Sequence, residues 1–200
     1  MKILLGTDND GKLREMRAIL ASLPAELVSP AEIGLDIYVE EEGSTYSENA
    51  TLKAGAYSQA SGLIALADDS GLEVDCLGGE PGVYSKRYLP KPDATDAERR
   101  AYLLQKLRDK PRPWLAHFHC TVAVVAPGRT VRLFDGDCFG EIIPEERGQN
   151  GFGYDPIFLL REINCTMAEL SMEEKNRVSH RSRALREAYP ALLRLINEGG

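Results

Sequence analysis

Apolar positions along the chain repeat at two periods. Lys2–Thr7 reads as a short strand, and after it Leu13, Met16, Leu20 and Leu23 fall at the spacing of one helix face. Ser29-Pro30-Ala31-Glu32 has the form of a capping box with proline at the first helical position, which predicts a helix start. Thr45-x-x-Glu48 predicts another helix, running to about Ser61, where Gly62 stops it. Leu63–Asp68 and Leu72–Leu77 read as two strands. Thr95-x-x-Glu98 opens a helix to about Asp109. Leu115–Ala126 and Thr130–Phe139 read as strands joined across Pro127-Gly128, a hairpin signal. Beyond the glycine-rich segment RGQNGFGYDP, Thr166-x-x-Glu169 predicts a further helix. A final helix runs from near Ser179 into Leu195, with a bend expected at Pro190. Strands alternating with helices predict an α/β fold, and the hairpin makes its sheet mixed rather than purely parallel.

Composition narrows the setting. Two hundred residues suit one domain, or two lobes sharing a core, without disulfide or metal staples. No segment reaches the ~18 apolar residues of a membrane span, and MKILLGTDNDGK lacks a signal-peptide core, so the expected location is cytoplasmic. Cys76, Cys120, Cys138 and Cys165 are scattered, without the spacing of a zinc ribbon or a redox pair. A net charge of −7 disfavours a nucleic-acid polymer as partner, although a local cluster of Lys and Arg can still hold a small anion.

Five stretches offer chemistry. GTDNDGK, Gly6 to Lys12, fits the outline of a phosphate-binding P-loop between strand and helix, but Leu13 stands where a magnesium-binding hydroxyl belongs. What remains is a strand-to-helix turn that aims backbone N–H groups at an anion. Thr45, Asn49 and Lys53 share a helix face, with Glu40, Glu41 and Glu42 just upstream. Asp68 and Asp69 stand side by side after an apolar run. Strand alternation sends them to opposite faces, so one is expected to be structural and the other to hold Mg²⁺ or take a proton from water. His117 and His119 alternate on a strand but have no third ligand in view. NGFGYDP can leave Phe152 or Tyr154 open to stack on a base, or can be a tight turn with buried rings. Lys175, His180, Arg181 and Arg183 gather at a helix start, where acids are normally preferred, and an anionic ligand would account for them.

Taken together and in order, TDNDGK, EEGSTYSENATLKA, ADDSGLEVDCLGGEPGVYSKRY, GFGYDPIF, MAELSMEEKN and SHR resemble the inosine/xanthosine triphosphate pyrophosphatase family from about residue 3 to 195. The resemblance implies one domain over residues 1–200, built as two α/β lobes around a long, mixed, twisted sheet with an active-site cleft between them. It implies a Mg²⁺-requiring homodimer that hydrolyses non-canonical purine nucleoside triphosphates to the monophosphate and pyrophosphate. By position, Asp69 is then the catalytic base and a metal ligand. Glu41 is its metal partner, with Glu40 and Glu42 leaving the register open by one. Thr7, Asp8, Asn9, Asp10, Gly11, Lys12, Lys53 and Ser70 are expected at the phosphates, and Phe152, Gly153, Tyr154, Asp155, Lys175, His180 and Arg181 at base and sugar. Tyr46 departs from the family's commoner phenylalanine, and Lys86 from a small residue. Two rival readings are a P-loop hydrolase releasing orthophosphate and a nucleotide sensor without turnover.

Overall fold

A computed structural model describes residues 1–198. Its elements are β1 (Lys2–Leu5), α1 (Asp10–Ile19), β2 (Glu26–Val28), α2 (Tyr46–Ser61), β3 (Ile64–Val74), α3 (Asp96–Leu107), β4 (Trp114–Val125), β5 (Arg132–Ile142), β6 (Phe158–Leu160), β7 (Cys165–Thr166), α4 (Met172–Val178) and α5 (His180–Glu198). The strands form one mixed sheet in the order β2-β1-β3-β4-β5-β6-β7. β1 is parallel to β2 and β3, while β6 is antiparallel to β5 and β7.

The chain divides into two compact units. The first comprises Met1–Asp69, Cys120–Gly136 and the chain from His180; the second comprises Ser70–His119 and Asp137–Ser179. In the first, the two faces of β3 are covered by different helices. Leu66 packs with Met16 of α1, with Leu20 just after that helix, and with Leu185 and Leu192 of α5. Ala65 and Ala67 look the other way, toward Tyr57, Ala50 and Ala54 of α2. Small residues let the backbones come close: a Cβ on Gly6 would lie 2.5 Å from the Tyr57 ring, and one on Gly136 only 2.3 Å from the His180 carbonyl oxygen. The second unit has its own core, in which Leu72, Leu103, Trp114, Phe118, Phe158 and Met167 pack together.

Three local signals were overridden. The Ser29 box forms, with Ser29 N donating to Glu32 Oε2 at 2.7 Å, but yields only one 3-10 turn, Ala31–Ile33, stopped by Gly34 at φ 66°. Thr166 does engage Glu169, through its N–H at 2.7 Å, yet no helix starts there. Thr166 pairs with Leu159 in the sheet, and α4 begins later, capped by Ser171. The two strands expected on either side of Asp68–Gly71 are one continuous strand of 11 residues, β3. The aspartates therefore lie within a strand, and side chains from other elements satisfy their charges. The capping boxes at Thr45 and Thr95 start α2 and α3 as expected, and Pro190 lies inside α5.

Candidate active site

Alternation along β3 gives its two adjacent aspartates different surroundings. Asp68 shares the parity of Leu66 and faces α1 and α5. There Lys12 Nζ lies 3.1 Å from Oδ1, and Arg181 Nε donates to Oδ2 at 3.1 Å. Arg181 also pairs with Glu15, and both are buried. Lys12, Glu15, Asp68 and Arg181 thus form a compact cluster of two cations and two anions. Burial alone would raise the Asp68 pKa, but Lys12 and Arg181 outweigh it and hold the carboxyl well below the usual range. Lys12 is shifted down, chiefly by burial, with Asp68 opposing. The same surroundings keep Arg181 firmly protonated, its two carboxylate partners overcoming the effect of burial.

Asp69 shares the parity of Ala65 and Ala67 and faces α2. Asn49 Nδ2 donates to its Oδ2 at 3.1 Å, and Lys53 Nζ to its Oδ1 at 3.4 Å. Both donors lie on one face of α2, four residues apart, and that helix is fixed at its start by the Thr45–Glu48 capping box. Thr45 itself therefore serves as a cap. Burial pushes the Asp69 pKa up; Lys53, Lys12 and the Asn49 hydrogen bond oppose it, and nearby Glu41 adds to it. The two neighbouring carboxyls are thus pushed in opposite directions, Asp68 down and Asp69 up.

The same lysine also reaches one of the glutamates upstream of α2. Lys53 Nζ donates to Glu41 Oε1 at 2.7 Å. Leu35, Ile37 and Val39 pack inward against the core, whereas Asp36, Tyr38 and Glu40 are exposed, and this period of two carries Glu41 inward as well. Burial would lower the Lys53 pKa, but Asp69, Asp68 and Glu41 together raise it. Among the described residues no cluster of three or more His, Cys, Asp or Glu side chains could hold a metal. Asp69 and Glu41 nevertheless present hard oxygens to a single ammonium. Mg²⁺ commonly uses one or two carboxylates and completes its shell with water and substrate phosphates, so this donor set fits that ion.

The turn before α1 departs in detail from what was expected. Asn9 caps the helix, its Oδ1 accepting from Lys12 N at 3.0 Å, and Thr7 Oγ1 accepts from Asn9 N at 3.2 Å. Asp8 meets the Tyr57 hydroxyl at 3.5 Å, and Asp10 is exposed on the first turn next to Gly11. Leu13 packs against the apolar core, which removes the P-loop reading.

In the second unit, Ser70 follows Asp69 along β3. Lys175 is buried, with Nζ 2.5 Å from Asp155 Oδ2 and 4.8 Å from the centre of the half-buried Phe152 ring. Asp155 also accepts from Phe152 N at 2.9 Å, and Gly153 N donates to Asp96 at 2.7 Å. These two loop N–H groups are thus taken by carboxylates. Tyr154 is not open for stacking: it is 4 % exposed in the core, with its hydroxyl on Ser85 O at 2.9 Å. Arg181, expected as a base-reading donor, is instead committed to Asp68 and Glu15. His180 opens α5 and is buried. His117 lies 3.5 Å from Glu73 and His119 bonds Asp137 at 2.7 Å, each paired with a carboxylate.

Residues 3–191 match the Ham1 family model. The chain belongs to the Ham1 family. A relative from Desulforamulus reducens, named dITP/XTP pyrophosphatase, is 43 % identical, with 98 % of this chain and 97 % of that protein covered. One of the same name from Geobacter sulfurreducens is 48 % identical, with 92 % of each covered. Among solved structures, a HAM1 protein from Coxiella burnetii superposes with TM-score 0.86 at 40 % identity, over 96 % of this chain and 98 % of that one. The Staphylococcus aureus Ham1 protein gives 0.84 at 38 % identity, over the same shares of each. Glu15 escapes a reading of motifs, because it looks like any acid on an amphipathic helix until Arg181 pairs with it. Asn49, four residues before Lys53 on one helix face, is where that spacing places it, against Asp69.

Proposed function

We propose that this chain hydrolyses non-canonical purine nucleoside triphosphates, dITP and XTP with ITP and dXTP, to the monophosphate and pyrophosphate, with Mg²⁺ as cofactor. The observation that carries the reading is the convergence of Asp69 and Glu41 on Lys53, with the Asp69 pKa pushed up by burial. The relatives named dITP/XTP pyrophosphatase support the substrate class.

Asp69 orients and deprotonates a water for in-line attack on the α-phosphorus. Lys53 offsets the charge that accumulates on the phosphate chain, and the first turn of α1, at Asp10 and Gly11, turns backbone N–H groups toward its oxygens. Bound Mg²⁺, held by Asp69 and Glu41, would neutralise phosphate oxygens and the departing pyrophosphate. Asp68, Lys12, Glu15 and Arg181 keep this part of β3 and α1 in place.

Base selection follows from hydrogen-bond sense. Hypoxanthine and xanthine present a carbonyl where adenine presents an amino group. Phe152 offers a stacking face, and Lys175 beside it a donor that matches a carbonyl. An amino group there sets donor against donor, a mismatch that can support ~10²–10⁵ discrimination. Assembly as a homodimer and a cytoplasmic location accompany this reading; the four cysteines, which remain thiols, agree with a reducing compartment. Turnover of dITP, XTP, GTP and ATP with separate assay of pyrophosphate and orthophosphate tests it. Pyrophosphate from dITP and XTP is expected. A preference for ATP or GTP, or release of orthophosphate, would overturn it, and tight binding without turnover would favour a sensor.

A further inference from the structure

Asn49 is fully buried, and its two amide atoms serve different masters. Oδ1 accepts from the backbone N–H of Gly43 at 2.8 Å, and Nδ2 donates to Asp69 Oδ2 at 3.1 Å. The partners fix this orientation: an N–H can only donate, so it must meet the amide oxygen, and a carboxylate can only accept, so it must meet the nitrogen. Gly43 lies two residues beyond Glu41. A Cβ there would fall 2.6 Å from Asn49 Oδ1 and 2.7 Å from Glu48 Cβ, so the backbone is seated directly on the amide. Asp69 is divided in turn: Oδ2 is held by Asn49, leaving Oδ1 toward Lys53, which also holds Glu41.

We propose that Asn49 is a positioning residue. Its amide ties the segment carrying Glu41 to the carboxylate of Asp69 and so sets the separation and facing of the two groups that take a divalent cation. Lys53 holds the same two carboxylates by charge, but its flexible ammonium imposes little direction; the planar amide between two fixed partners does. The inference deepens the proposed function by assigning a residue that touches neither nucleotide nor metal.

The test uses wild type, Asn49→Ala and Asn49→Asp. Asn49→Asp preserves the acceptor for Gly43 and the shape of the side chain while removing the donor. Thermal melts establish that each variant folds, and kcat and KM for dITP with Mg²⁺ are measured. Mn²⁺ alone is titrated calorimetrically into wild type and Asn49→Ala without nucleotide. Loss of an outer-shell partner of this kind costs about 10–100-fold in metal affinity or activity. The expected results are a fall of that size in kcat with KM little changed in both variants, and a comparable loss of Mn²⁺ affinity in Asn49→Ala. Asn49→Asp decides the matter if Asn49→Ala does not fold. Unchanged Mn²⁺ affinity in a folded Asn49→Ala, wild-type kcat in either variant, or a loss confined to KM would overturn the proposal. Because Mn²⁺ binding is read without nucleotide, it judges Asn49 even if the wild type leaves dITP intact, a result that would instead defeat the assignment of function.

Discussion

Exchanging each of two adjacent aspartates for asparagine is expected to have opposite effects. Asp68→Asn removes the anion that holds Lys12 and Arg181, each at 3.1 Å and neither well exposed. At an effective dielectric near 20 each contact is worth about 5 kcal/mol before desolvation is subtracted. What the variant loses is set mainly by the buried cations left without their partner, about 3–5 kcal/mol. At about 2–4 °C per kcal/mol for a chain of this size, the melting temperature at neutral pH should fall by roughly 6–20 °C. Asp69→Asn differs in sign. The pKa of Asp69 is raised in the folded state, so at neutral pH its ionised form opposes folding, and a neutral amide removes that penalty. Lys53 keeps Glu41 at 2.7 Å. The melting temperature of Asp69→Asn should match or exceed wild type while turnover falls by about 10²–10⁴-fold. The pH dependence follows the same signs. The stability contributed by Asp68 is present above the ordinary carboxylate pKa and fades as pH falls toward its depressed folded value. The advantage of Asp69→Asn fades as pH falls through the raised Asp69 pKa. Calorimetric melts from acid to neutral pH, with pyrophosphate release on dITP, measure both. Equal destabilisation by the two substitutions, or a wild-type melting temperature for Asp68→Asn, would refute the division of roles.

Three further outcomes are expected. Glu41→Gln should weaken Mn²⁺ binding and lower kcat, whereas Glu40→Gln, on the outward parity, should leave both near wild type; calorimetry and steady-state kinetics compare them. Phe152→Ala should raise KM for dITP by roughly 5–150-fold, the equivalent of a base–aromatic stack of about 1–3 kcal/mol, and an unchanged KM would remove the ring from base recognition. Gly6→Ala should cost about 1–3 kcal/mol in denaturant unfolding, because its Cβ would enter the Tyr57 ring at 2.5 Å.

How much of this was legible in the sequence depended on whether the deciding contact was local. The capping box at Thr45, the stop at Gly62 and the shared face of Asn49 and Lys53 are local features, and the helix obeys them. Strand alternation correctly divided Asp68 from Asp69. The continuity of β3 was hidden, because Asp-Asp-Ser-Gly looks like a turn until its charges find partners as remote as Arg181. Thr166 and Ser29 carry valid caps that fail to start α-helices, one because the sheet takes its backbone and the other because Gly34 ends the turn. The alternation of Leu35, Ile37 and Val39 is a sequence feature, and its parity turns Glu41 inward onto Lys53. Arg181 was expected at the base because basic residues cluster at that helix start and the family resemblance places it there; its pairing with Glu15 and Asp68, residues far away in the chain, leaves no local mark in the sequence.

Hydrolysis of dITP in ¹⁸O-labelled water with Mg²⁺, followed by mass spectrometry of both products, most directly tests whether Asp69 directs water to the α-phosphorus. The label is predicted in the nucleoside monophosphate, with unlabelled pyrophosphate, and the reaction should be lost in Asp69→Asn. Label in the pyrophosphate, or undiminished turnover in that variant, would contradict the assignment.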